Sequence, residues 1–131
     1  MVSEKGEKNL YVYAYEIHGE ILYYLDDMLL VNLNKTKFSR IQLRKTMGNL
    51  LQYFLENSSK SFISDDELMS EVWEKHDLRA SSHRLWQVVK DLNLTLKEVG
   101  LTEDVFVRTK RQRRFTVRRD CIEALYKTKD I

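Results

Sequence analysis

The residues best suited to chemistry in this sequence are cations. Positions 105–119 read VFVRTKRQRRFTVRR, with seven Lys or Arg side chains and no acid. Like charges this close repel, and an anion is the simplest partner that relieves them. Arg108, Lys110, Arg111, Arg113 and Arg114 are the candidates at its centre, with Arg118 and Arg119 beyond. A second polar group precedes it: Ser82, His83, Arg84, Gln87 and Lys90 are outward residues of an amphipathic segment, with His83, Gln87 and Lys90 opposite its apolar ladder and Arg84 on the flank. Arg can grip a guanine edge bidentately and Gln an adenine edge, so these types in this pattern suit nucleic acid. The solvated face of a helix and a solvated basic loop explain the same residues without a ligand.

Other chemistries lack their parts. The four glycines, Gly6, Gly19, Gly48 and Gly100, lie too far apart for a dinucleotide fingerprint or a phosphate loop. Cys121 is the single cysteine, which excludes an internal disulfide and a cysteine zinc cluster. His76 and His83 are seven residues apart with no carboxylate at ligand spacing, so no metal site is expected. No sequence motif of a nucleophile elbow, a Cys–His pair or a zinc-protease helix is present. The expectation is a protein without catalysis, cofactor or metal.

The cations must be held by a small scaffold. A chain of 131 residues suits one domain and buries enough surface for its own core. Its formal charge of +2 averages unlike segments: +1 over residues 1–60, −5 over 61–104, +7 over 105–119 and −1 over 120–131. The longest apolar run covers only residues 21–25, well short of the roughly 20 that a membrane span requires. Residues 1–9 are polar and read as a disordered start, and a cytoplasmic location is expected.

Period-two patterning predicts strands over residues 10–42. Tyr11, Tyr13, Tyr15 and Ile17 fall on one face of the first, and short turns at 18–19, 26–27 and 34–37 join four strands into an antiparallel meander. Leu43, Met47, Leu50, Leu51 and Phe54 then step at helical spacing. Ser64, Asp65, Asp66 and Glu67 form a capping box, and Ile63 with Leu68 a hydrophobic staple, so a second helix starts there and runs to about Lys75. A third spans about 82–99, with Leu85, Val89, Leu92 and Leu96 inward and Gly100 as its stop. Trp73 reads as core and Trp86 as a half-buried packing residue. The cationic segment is a hairpin with arms near 106–109 and 115–117. Residues 120–131 read as a short terminal helix or the start of a linker, because Asp120 to Glu123 repeats a capping pattern.

Strands, three helices and a basic hairpin in this order give an α+β winged helix–turn–helix. Residues 43–117 resemble the OmpR/PhoB-type DNA-binding domain. The matching stretches are LLQYFL (50–55), ISDDELMSEVW (63–73), the third-helix leucine ladder and RTKRQRRFTV (108–117). The first four strands fit the N-terminal sheet of that class, and residues 10–119 would form the domain. The sequence departs at the wing, where Gln112, Arg113, Arg114 and Phe115 replace a glycine-containing turn, and at Leu92-Asn93, where the family commonly has Leu-Arg.

The resemblance implies a bacterial transcription regulator that binds double-stranded DNA sequence-specifically. The third helix would enter the major groove. Arg84 and Gln87 would read base edges, His83 and Lys90 would contact phosphate or groove, and the wing would clamp the backbone or a minor groove. It further implies a contact to RNA polymerase through residues 76–81 and binding as a dimer on DNA. With nine residues ahead of the first strand and no room for a receiver, the likeness extends to the ToxR-like branch, in which a membrane span and sensor follow the winged helix; a stand-alone small regulator fits the sequence equally. The alternative is a winged-helix protein-interaction module with weak, unselective DNA affinity, and a third reading is an RNA-binding basic domain.

Overall fold

The computed structural model describes residues 9–34 and 39–129, without the Lys110 side chain. The start expected over 1–9 and the turn expected over 34–37 thus lie mostly outside the described residues.

Strands β1 (Leu10–Ile17), β2 (Ile21–Tyr24), β3 (Leu29–Asn32) and β4 (Arg40–Gln42) form the predicted meander. Every pairing is antiparallel. Two turn residues, His18 and Gly19, take left-handed φ angles of 55° and 65°, which lets the chain reverse in a minimal connection. The single-face pattern predicted for β1 is broken. Val12 pairs with Tyr126 and Ala14 with Leu125, so Tyr13 is an extra, bulged residue. Its ring lies 6.3 Å from that of Tyr24 and 4.6 Å from the Lys127 ammonium, while Tyr15 and Ile17 stay in the core.

Helix α1 (Lys45–Glu56) buries Leu50, Leu51, Phe54 and Leu55. Helix α2 (Asp65–Leu68) continues as a π-helical turn over Met69–Trp73 and a 3-10 turn over Glu74–His76. The looser winding brings the consecutive residues Val72 and Trp73 both into the core. Its cap is half of the predicted box. The Glu67 amide donates to Ser64 Oγ at 3.0 Å, but the Glu67 carboxylate accepts from Lys60 Nζ at 2.6 Å and from the Tyr53 hydroxyl. Burial works to raise the Glu67 pKa, but those donors outweigh it and hold the carboxyl below its ordinary range.

Helix α3 (Ser82–Val99) has the predicted bounds, with the Arg84 amide donating to Ser81 Oγ at 3.1 Å. Leu85, Val89, Leu92 and Leu96 are buried as expected. Gly100 ends the helix at φ 135°, and a Cβ there would collide with Asn32 Nδ2, the group that donates to the Val99 carbonyl. Gly100→Ala is therefore expected to destabilise the fold by upward of about 1 kcal/mol. A thermal melt checks this, and an unchanged midpoint would contradict the strained stop.

A second sheet carries the basic segment. Strands β6 (Phe106–Thr109) and β7 (Arg114–Val117) form the predicted hairpin, and the two-residue strand β5 (Ile63–Ser64) pairs with β7 just before α2. Phe54 stacks on Phe106 at 4.5 Å and meets Phe115 edge-on at 5.4 Å, fastening α1 to the hairpin's inner face.

The short C-terminal helix predicted over 120–131 is absent. Residues Ile122–Thr128 form β8, antiparallel to β1 over its length, which gives a five-stranded sheet of order β4-β3-β2-β1-β8 in place of four strands. A helix of so few residues is marginal in isolation, whereas the open edge of β1 offers a full ladder of hydrogen bonds. Arrival at that edge also places Cys121 Sγ 3.4 Å from His18 Nδ1, a contact invisible in the sequence at a separation of 103 residues. Burial raises the Cys121 pKa, opposite to the activation that a thiol nucleophile requires. Architecturally the chain is the expected α+β winged helix, and no helix among the described residues is long and apolar enough to cross a membrane.

Candidate nucleic-acid interface

The wing's tip solves the missing-glycine problem with a 3-10 turn over Lys110–Gln112 followed by Arg113 at φ 50°. A non-glycine residue in that left-handed region costs about 1–2 kcal/mol. Neighbouring contacts hold it there. The Asp65 amide donates to the Arg113 carbonyl at 3.0 Å, and the Arg113 guanidinium donates to Ser82 Oγ at 3.2 Å. Two candidates, one from the wing and one from the start of α3, are thereby joined directly.

Asp65 is the anchor of this junction. Its side chain is 2 % exposed and lies 2.5 Å from Arg108 Nη2 and 3.9 Å from Arg113 Nε. Oδ1 has no partner among the described residues. Arg108, also over the Phe115 ring at 5.7 Å, is consequently engaged inside the protein. Arg114 lies 4.3 Å over the Phe62 ring. Arg118 donates to Glu103 at 2.9 Å, and that bond raises its pKa. Arg111 and Arg113 remain exposed at the tip. The Lys110 side chain lies outside what is described.

On α3, Ser82, His83, Arg84, Gln87 and Lys90 are all exposed, but they do not form one cluster. His83, Gln87 and Lys90 follow helical spacing along the outward arc. Arg84 turns to the opposite flank, where it lines a cleft of about 340 Å³ with Arg44 and Lys45 from the start of α1, beside Asp91. Toward the wing, Trp86, Lys90 and Asn93 line a crevice of about 200 Å³ with Phe106, Arg108 and Phe115. Trp86 is 45 % exposed, half-buried as its place on the flank of the helix predicts. The sequence carried no signal for the crevice itself, because its other wall comes from a hairpin about twenty residues further along the chain.

The loop after α2 bends at Asp77, φ 59°, and leaves Leu78 41 % exposed. No cluster of three or more metal-binding side chains occurs among the described residues.

No protein-family profile matches the sequence, and no curated protein matches it either. Among solved structures, the DNA-binding domain of E. coli CadC is similar, with a TM-score of 0.65 and 16 % identity, covering 88 % of this chain and 95 % of that one. Likeness at this identity speaks for the fold.

Proposed function

We propose that this chain is a transcription regulator that binds double-stranded DNA through α3 and the wing. The carrying observation is the junction at Asp65, Arg113 and Ser82, which ties the cationic tip to the start of α3. The similar CadC fold, described as a DNA-binding domain, supports the same reading. His83, Gln87 and Lys90 enter the major groove, with Gln87 at base edges. Arg111 and Arg113, with Lys110 and Arg114, contact backbone or minor groove. Arg84 stands with Arg44 and Lys45 on the far flank, where an Arg reaches a phosphate or the outermost base of the site. In this reading the protein is bacterial and cytoplasmic, pairs on DNA, and turns residues 76–81 toward RNA polymerase.

Titration of a labelled arbitrary duplex at several salt concentrations tests the proposal. About five phosphate contacts give a slope of log affinity against log salt near −4 to −5. Absence of binding at low salt would overturn it. A specific observation favours a second reading, a winged-helix protein-interaction module: Arg108 and Arg118 are ion-paired with Asp65 and Glu103, which weakens the wing's pull on phosphate. Binding that stays weak and indifferent to sequence after selection from a random duplex pool would favour that module. Stronger competition by structured RNA than by duplex would favour the RNA reading.

A further inference from the structure

Resting on the duplex reading above, we infer that Trp86 is a positioning residue that seats the sugar–phosphate ridge between α3 and the wing. Leu85, Val89, Leu92 and Leu96 already supply the buried face of α3, so the Trp86 ring is not needed to hold the helix down. What distinguishes Trp86 from other exposed apolar side chains is its place on the crevice wall between α3 and the hairpin, beside Lys90. Its indole N–H makes no hydrogen bond among the described residues.

The location specifies the ligand group. In a duplex one sugar–phosphate ridge separates the major groove from the adjacent minor groove. A helix in the first and a hairpin reaching the second must straddle that ridge, and the crevice between α3 and the wing is where it lies. The crevice floor is apolar, with Phe106 at 3 % and Phe115 at 0 % exposure. Asn93 offers a neutral amide at its wall, and Arg108 lends little net charge because Asp65 neutralises it. Lys90 Nζ stands 6.0 Å from the Trp86 ring centroid and supplies the cation. The indole face then covers a deoxyribose, its N–H donates to a phosphate oxygen, and Lys90 neutralises that phosphate. Every duplex presents these groups alike, so the contact carries affinity without sequence preference.

Trp86→Ala and Trp86→Phe, measured against arbitrary and selected duplexes across salt, test this. The expected result is an affinity loss of about tenfold for Ala, equal on both duplexes, with an unchanged salt slope because no charge is removed. Phe should lose less, since it keeps the apolar face without the N–H. Lys90→Ala should instead shallow the slope by about one. Acrylamide quenching provides a readout free of substitutions. The chain has two tryptophans and Trp73 is 1 % exposed, so quenching reports Trp86, and duplex should protect it. Unprotected Trp86 in a bound complex, no loss in either variant, or a loss confined to one sequence would overturn the inference while leaving DNA binding intact. Failure of the unaltered protein to bind any duplex would remove the functional reading and this one together.

Discussion

Asp65→Ala is expected to destabilise the protein by about 3 kcal/mol, the usual cost of removing one partner from a buried ion pair. The substitution leaves the Arg108 guanidinium, 23 % exposed, without its carboxylate at the base of the wing. It also removes the acid facing Arg113, whose left-handed backbone is held by the same residue's amide. Urea denaturation should show the loss as a lower midpoint at unchanged slope. Hydrogen exchange should show β6 and β7 opening before the five-stranded sheet. Asp65→Ala combined with Arg108→Met should recover much of the stability, because the uncompensated charge is then gone. A change below about 1 kcal/mol in the single variant, the range of exposed pairs, would contradict the role of Asp65 as anchor.

The second large effect concerns binding. Removing Arg111, Arg113 and Arg114 together should flatten the salt slope by about two to three. It should lower affinity at moderate salt by about a hundredfold or more. Position 113 is best changed to Gly, since φ 50° strains alanine and a folding defect would confuse the result. Positions 111 and 114 can take Ala. The salt titration of this variant beside the unaltered protein decides the matter. Equal slopes would place the phosphate contacts elsewhere, first on Arg44, Lys45 and Arg84 across α3. Because Arg113 also bonds Ser82 and Arg114 packs on Phe62, a thermal melt of the tip variant beside its titration separates a lost phosphate contact from a loosened hairpin.

Much of the fold was legible because its signals are local. Ser64 and Gly100 mark helix ends by groups within a few residues of themselves, and the leucine ladder of α3 registers its buried face through helical period alone. The element order of the winged helix follows from such signals. Residues 122–128 escape such local signals for the same reason. Asp120 to Glu123 has the local pattern of a helix start, but the strand partner that decides the matter is β1, more than a hundred residues away. The bulge at Tyr13 was likewise hidden, since it is a property of pairing with β8 and not of β1 itself.

The candidate interface divides along the same line. Seven cations without an acid among them, and a helix with His83, Gln87 and Lys90 on its polar arc, are facts of the sequence alone, as is their attraction to an anion. The tertiary structure decided how each cation is used. Asp65, 43 residues before Arg108 in sequence, takes that guanidinium for the wing's foundation, and Phe62 and Glu103 engage Arg114 and Arg118. Arg84, on the flank by helical period, gains Arg44 and Lys45 as neighbours, and Trp86 comes to the crevice beside the wing. Periodicity and capping act over one or two turns of chain and can be read in order. An ion pair or a crevice depends on which distant elements share a surface, and that is settled only when the core closes.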